Sequence, residues 1–291
     1  MKYVTITGGL GNQMFIYAFC LELQKRGKNA CLFIPFKNNS RRYGHQGYEL
    51  EKLFNVLTPN SFWLESYSQF LRFFPKKYRE KLYKLIDIHI VKVAENFIFY
   101  PEVFDFKHKN ELFRGTWQSE SFFENAKNEV RNAFIFNEDL LSAETRKLKT
   151  EITASNSVSI HVRRGDYLSA QYANGFAGIC TLDYYQKAVE TITEKRQNQV
   201  LKFFIFTDDA EWVQQNFNIE NAVYVTNNTG VDSWQDMYLM SCCKDNIIAN
   251  SSFSWWGAWL NANPIKIVIA PERWWRSFEK DDVVPHEWIR I

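Results

Sequence analysis

The stretch VSIHVRRGDY, residues 158–167, decides how the chain is to be read. Val158, Ile160 and Val162 alternate with Ser159 and His161, the period of a half-buried strand. The strand then runs into Arg163, Arg164, Gly165, Asp166 and Tyr167. Two guanidiniums at a strand end suit a phosphate, because each offers planar, bidentate donors and a permanent charge. Neighbouring strand residues point to opposite faces, so both arginines reach one ligand only if the chain bends after Val162. Gly165 would permit that bend. His161 and Asp166 could position or deprotonate a hydroxyl there. A plain arginine–aspartate ion pair at a turn has the same spelling. Arg164-Gly165-Asp166 also spells the integrin tripeptide, which needs a protruding extracellular loop. The start of the chain, MKYVTITGGLGNQ, lacks the charged and apolar regions of an export signal.

Outward from this strand, the second half alternates regularly. TLDYYQKAVETITEK reads as a helix capped by Thr181, and LKFFIFTDD as a strand ending in Asp208 and Asp209. AEWVQQNF is a short helix, NAVYVT a strand, SWQDMYLMSCCKD a helix and NIIAN a strand. SSFSWWGAWLN starts a serine-capped helix, and IKIVIAP is a final strand. Such alternation argues for a parallel sheet, and ligands of parallel sheets bind at the carboxyl ends of strands. HVRRGDY, FTDD and NIIANSS all lie at such ends.

The first half opens the same way. KYVTI is a strand, TGGLGNQ a turn, MFIYAFCLELQKRGKN a helix with Gly27 near its end, and ACLFIP a strand. Residues 61–96 are mostly helical, broken at Pro75, and include the basic KKYREKLYK. That run fits a solvated helix face, or a basic surface for peripheral contact with an anionic membrane or a lipid-linked acceptor. NAKNEVRNAFIF reads as a helix, and the polar residues 145–156 as a linker. The expectation is an α/β protein of two halves facing a cleft, residues 1–150 and 151–291.

Bulk properties narrow the class. The chain has 291 residues, comfortable for two domains, with 46% hydrophobic and 17% aromatic residues to build cores. A net charge of +2 argues against a nucleic-acid binder. No apolar run is long enough to span a bilayer. Five cysteines without C-x-x-C spacing read as reduced thiols, which points to a cytoplasmic protein. The sequons at Asn38, Asn227 and Asn250 then carry no glycosylation meaning.

Three other stretches could carry chemistry. TGGLGNQMF puts glycines before a helix N-terminus, a place that favours anions. Its spacing is neither G-x-G-x-x-G nor a P-loop, and Asn12 and Gln13 either meet a ligand or only cap the helix. Asn250, Ser251, Ser252 and Ser254 cluster at another helix start, where hydroxyls and free N–H groups could hold a phosphate. Plain capping would use one serine and leave the others unexplained. Trp255, Trp256 and Trp259 read as core rather than as a sugar-stacking platform. Asp208 and Asp209 could meet a metal, a ribose or the N–H edge of guanine. No D-x-D occurs, so no metal–diphosphate site is expected.

Together, GGLGNQMFIYA, HVRRGDY, FTDD and DMYLMSCCKDNIIANSSFSWWGAWL resemble the family 11 glycosyltransferases, the α-1,2-fucosyltransferases, and above all the bacterial ones. The motifs occur in the family order and span nearly the whole chain. The resemblance implies a GT-B-like fold of two Rossmann-like domains facing a cleft. It places GDP-L-fucose mainly on residues 151–291 and the acceptor on residues 1–150. It implies inverting transfer of fucose to the 2-OH of a terminal galactose, with no cofactor and no obligatory metal. In related α-1,6- and protein O-fucosyltransferases the first arginine of H-x-R holds the diphosphate, here Arg163, and a G-N-Q element approaches the donor, here Asn12 and Gln13. The expected donor contacts are therefore Asn12, Gln13, Arg163, Arg164, Asp208, Asn250, Ser251, Ser252 and Ser254. Where the α-1,6 enzymes carry their proposed base glutamate this chain has Gln171, so the base stays open between Asp166, the preferred candidate, and His161. A non-catalytic protein binding a nucleotide-sugar or glycan would use the same pocket, whereas a nicotinamide enzyme is disfavoured by the broken glycine fingerprint.

Overall fold

A computed structural model describes residues 1–35, 46–56, 61–92, 96–165, 167, 169, 174–197 and 199–291. Asn38, Asp166 and Gln171 lie outside the described residues. The chain divides into two units, Met1–Phe136 and Asn137–Ile291.

The first unit holds a four-stranded parallel sheet in the order β2-β1-β4-β3. Its strands are β1 (Lys2–Thr5), β2 (Ala30–Phe33), β3 (His89–Lys92) and β4 (Glu111–Arg114). α1 (Leu10–Lys25) follows β1 and is buried nearly all round, which fits a helix packed against both sheet and neighbours. Phe19 of α1 stacks on Trp117 at 3.7 Å and meets Phe113 of β4 edge-on. After the short α2 (Leu50–Leu53) come α3 (Phe62–Leu71) and α4 (Lys76–Leu85), split at Pro75, which serves as the α4 N-cap. Leu64, Leu71 and Tyr83 of this pair close over Tyr3, Phe33 and Leu112 on the other sheet face. Strands β3 and β4 were not expected from the sequence. HIVK follows a helical pattern directly, and ELFR is too short and too charged to declare a strand alone. Glu111 is tolerated inside because Lys2 pairs with it at 2.7 Å and the Lys107 and His108 amides donate to it. The helix expected in NAKNEVRNAFIF is α5 (Lys127–Ala133).

The second unit begins earlier than the expected boundary at 150/151. The presumed linker is α6 (Ala143–Thr153), with Ser142 accepting from the Thr145 amide as its N-cap, followed at once by β5 (Asn156–Val162). α6 looks like a linker in sequence because only Thr145 and Ile152, one stripe of the helix, are buried. Hydrogen bonds from the Ser142 amide to Gln235 and from Thr145 Oγ1 to Asn228 tie it into this unit.

The second sheet has six parallel strands in the order β10-β9-β8-β5-β6-β7. These are β5, β6 (Leu201–Thr207), β7 (Ala222–Val225), β8 (Asp245–Ile247), β9 (Val268–Ala270) and β10 (Ile289–Arg290). The helices are α7 (Leu182–Lys195), α8 (Ala210–Asn216), α9 (Trp234–Cys242) and α10 (Ser252–Leu260). Thr181 caps α7 by accepting from the Tyr184 amide, as its position in the sequence suggested. From β5 the chain builds outward through β6 and β7 on one side, then returns to build through β8, β9 and β10 on the other. This is the doubly wound order of nucleotide-binding sheets, and its switch point lies between the carboxyl ends of β5 and β8. The architecture is α/β, with a parallel sheet in each unit.

β5 is not half-buried. Residues 157–162 are all buried, on both faces. Val158, Ile160 and Val162 meet α7 and α8, as in Tyr184, Tyr185, Ile192 and Val213. The other face is polar and satisfied at its two serines: Ser157 Oγ accepts from the Lys244 amide, and Ser159 Oγ accepts from Asn246 Nδ2 at 2.7 Å. The alternation therefore reflects two buried faces of different polarity, not a wet side and a dry one.

Candidate functional site

The carboxyl end of β5 continues the alternation of its faces. Arg163 follows the side of His161, and Arg164 the side of Val162. Arg163 Nη1 lies 3.1 Å from Asp208 Oδ2, and its guanidinium stands 5.8 Å from the Tyr167 ring. Arg164 turns away: Nε is 3.2 Å from Asp209 Oδ2, and the guanidinium carbon sits 3.7 Å over the Trp212 ring. Asp209 also caps α8 by accepting from the Trp212 amide. The two arginines thus part, contrary to the bend that would have joined them. Arg164 locks β5 to α8 while Arg163 stays on the face of the switch point.

Asp208 fixes this turn. Its Oδ1 accepts from the Arg164 amide at 2.8 Å. A Cβ at Gly165 would come within 2.8 Å of its Oδ2. Gly165 is thus required for the approach of a carboxylate, where the sequence suggested a bend. Asp166 lies outside the described residues.

His161 is 4% exposed, and its Nδ1 has no hydrogen-bond partner among the described residues. Burial, then the charge of Arg163, push its pKa down to about 3. The imidazole is neutral and takes up a proton reluctantly, so its chemistry here is hydrogen bonding rather than strong base catalysis.

Across the switch point, the polar cluster after β8 divides into structural and open groups. Asn250 donates from Nδ2 to the carbonyls of Phe176 and Trp274, and its own carbonyl accepts from Tyr167 Oη at 2.9 Å. Asn250 thus ties the connection between β5 and α7, at Tyr167 and Phe176, to the segment after β9, at Trp274. Ser251 is the N-cap of α10 and accepts from the Phe253 amide. Ser254, fully buried, donates to the carbonyls of Ala249 and Ser251. Ser252, partly exposed at the first position of α10, is the hydroxyl left facing outward. No acidic residue occupies that first turn. Trp255, Trp256 and Trp259 are buried core, as expected.

Sequence reasoning missed Asp236 in the first turn of α9. It is 8% exposed, and among the described residues its carboxylate accepts one hydrogen bond, from Asn228 Nδ2 at 2.8 Å. Burial raises its pKa to about 7. Ser233-x-x-Asp236 spells a capping box, which hid it, yet Ser233 makes no side-chain cap. The telling signal was a carboxylate set between apolar neighbours that the fold buries, Met237, Leu239 and Met240.

In the first unit, Gln13 is fully buried and fully used. Nε2 donates to the carbonyls of Gly8 and Gly47, and Oε1 accepts from the Glu49 amide. Asn12 is partly exposed and accepts from Gln118 Nε2 at 2.6 Å. Gly8 has φ +77°, and a Cβ there would lie 2.6 Å from Asn12 Nδ2, so only glycine fits. Among the described residues, no group of three or more His, Cys, Asp or Glu could hold a metal ion. All five cysteines are unpaired.

A doubly wound sheet with arginine, imidazole and an uncapped serine at its switch point is the setting of a nucleotide-sugar enzyme. The sequence pattern described as "Glycosyl transferase family 11" matches residues 1–291 in full. The chain belongs to that family. This glycosyltransferase is 33% identical over 307 residues to the O-antigen biosynthesis glycosyltransferase WbnK of Escherichia coli, covering 99% of this chain and 100% of the relative. It is 33% identical over 294 residues to an alpha-1,2-colitosyltransferase of Escherichia coli, covering 98% and 97%. It is 21% identical to galactoside alpha-(1,2)-fucosyltransferase 1 of Ateles belzebuth, over 59% of this chain and 50% of the relative. Among solved structures, NodZ alpha-1,6-fucosyltransferase soaked with GDP-fucose aligns with a TM-score of 0.51 at 14% identity, covering 89% and 91%. A FUT1 variant of Arabidopsis thaliana in complex with GDP aligns with a TM-score of 0.52 at 12% identity, covering 92% and 70%. At these identities the structures speak for the fold, which is GT-B-like.

Proposed function

We propose that this glycosyltransferase transfers L-fucose from GDP-β-L-fucose, with inversion, to the 2-OH of a terminal galactose on a glycan or lipid-linked oligosaccharide. The observation that carries the reading is Arg163, held by Asp208 beside the switch point with its guanidinium still partly exposed. Cleavage of the fucosyl–phosphate bond builds negative charge on the departing GDP. A preorganised guanidinium there acts where charge develops, the most effective place for it. Ser252 and the first-turn amides of α10 would hold a second phosphate oxygen. Asp208, Arg164 and Asn250 act as positioning residues, because their polar groups are committed to the protein. Asp208 and Asp209 being so occupied, Asp236 is the carboxylate suited to the N–H edge of guanine. His161 Nδ1 offers a further hydrogen bond on the same sheet face.

The acceptor hydroxyl must lose its proton as it attacks. We assign that proton to Asp166, since the low basicity of His161 disfavours the alternative. No metal or cofactor is invoked. The relatives that are an alpha-1,2-colitosyltransferase and a galactoside alpha-(1,2)-fucosyltransferase support an α-1,2 linkage and a fucose-like sugar, and the fold neighbours solved with GDP-fucose and with GDP support a GDP donor. Colitose is 3-deoxyfucose, so donor choice turns on how the pocket treats one hydroxyl. The test is a donor panel of GDP-fucose and GDP-colitose against galactosides, with and without EDTA, read by mass spectrometry and linkage analysis. An α-1,2-fucosylated product with EDTA present supports the reading. Exclusive use of GDP-colitose overturns the donor, and GDP-fucose binding without GDP release would leave a binding protein.

A further inference from the structure

Within the first unit, α3 and α4 bury one side against the sheet and leave the other open. Leu64, Leu71 and Tyr83 enter the core, with Leu82 and Ile86 packed against it. At the turn between the helices Phe73 is 88% exposed. On the same helix pair Trp63, Phe70, Tyr78 and Leu85 are also exposed, Leu85 at 79%. So large a group of exposed aromatic and aliphatic side chains on one helix pair marks an interaction surface.

Its charge says what kind. The ten residues of α4 include five cations and one carboxylate. That carboxylate, Glu80, is engaged by Lys92. Arg79 points inward, donating to the Phe74 and Arg72 carbonyls. Lys77, Lys81 and Lys84 recur at i, i+4 and i+7 and so share the outer face; none forms a close ion pair among the described residues, Lys84 acting on Glu80 only through its charge. Tyr78 and Leu85, seven apart, form an apolar line along the edge of that basic stripe. Lys77 Nζ lies 4.9 Å from the Tyr78 ring centroid. Lysines whose long stems flank exposed aromatic rings suit a surface that is negative outside and oily just beneath.

We propose that the α3–α4 face docks on an anionic phospholipid surface, with Phe73 inserted among the headgroups and Lys77, Lys81 and Lys84 against lipid phosphates. Among the described residues no helix is long and apolar enough to cross a membrane. Aromatic side chains favour the headgroup level, and lysines on an amphipathic helix draw on the negative surface potential. The inference uses no feature of the donor site.

The experiment is co-sedimentation of the full chain with vesicles of phosphatidylglycerol and phosphatidylcholine, beside vesicles of phosphatidylcholine alone, at low and physiological salt. The expected result is binding to the anionic vesicles that weakens with salt. Lys77→Gln with Lys81→Gln and Lys84→Gln should lose roughly a hundredfold in partitioning. Phe73→Ser should lose several-fold at unchanged charge. Turnover on a soluble acceptor should stay the same for both variants, which separates this result from any failure of the donor reading. Equal binding to both vesicle types, or to neither, overturns the proposal. So does self-association in light scattering that Phe73→Ser abolishes, which would give the face to a second copy. Retention of vesicle binding by both variants overturns it as well.

Discussion

Two polar turns sit at strand ends in this molecule, and they differ in what their polar atoms have left to give. After β1, the Gln13 amide spends every bond on Gly8, Gly47 and Glu49. After β5, His161 keeps a buried nitrogen without a partner among the described residues, and Arg163, paired with Asp208, keeps 28% of its side chain exposed. Both turns look equally functional in sequence. A buried polar group that is fully paired is scaffold; one held in place with capacity unspent is set for a ligand. The same rule separates Ser252 from Ser254.

The largest expected effect breaks the comparison on the ligand side. Arg163→Ala should lower kcat by 10²–10³-fold, about 2.7–4 kcal/mol of barrier, with an unchanged melting profile. Arg163→Lys should rescue poorly, since an ammonium does not replace a planar fork. Near-normal turnover in Arg163→Ala would remove the proposed donor contact.

The scaffold side predicts the reverse pattern. Gln13→Ala leaves up to three buried backbone groups unpaired, at roughly 1–3 kcal/mol each. Urea unfolding should shift strongly, while turnover per folded molecule falls far less than in Arg163→Ala. A variant that melts like wild type yet loses activity would make Gln13 a ligand contact.

A pH-dependent effect concerns Asp236. Its pKa is raised in the folded protein to about 7 from an ordinary 3.8. The folded state therefore holds a proton that the unfolded state releases between those values. Its contribution is full at acid pH and is lost as pH rises toward 7, by about 1.4 kcal/mol for each unit of pKa separation. Asp236→Asn should thus gain on wild type as pH rises from about 4 to 7. His161 and Glu49 titrate oppositely to each other in this range but are present in both proteins, so the difference isolates Asp236. Parallel stability curves across that range would mean the carboxylate is not buried as described.

The order of strands and helices in the second unit was legible because each apolar run is long and separated by clear caps, such as Thr181 and Ser251. β3 and β4 were not, since HIVK and ELFR are four residues each and owe their strand state to pairing with each other and with β1. The linker that proved to be α6 shows the limit of reading polarity as a linker: one buried stripe was enough to hold it. The candidate site was readable in the sequence as a set of strand ends but not as a division of labour. Arg163 and Arg164 are adjacent and alike, and only the continued alternation beyond Val162, with Asp209 and Trp212 waiting on one side, tells them apart. Asp236 was hidden because its local spelling had a complete and ordinary explanation.

The central claim, that Arg163 meets the diphosphate while Arg164 holds the fold, is tested most directly by calorimetric titration of GDP into wild type, Arg163→Ala and Arg164→Gln. Loss of a charge-assisted bond predicts roughly ten- to hundredfold weaker binding in Arg163→Ala. Arg164→Gln should bind GDP nearly as wild type does and show its defect in a lowered melting temperature. Equal loss of GDP affinity in both variants, or loss in Arg164→Gln alone, would contradict the account.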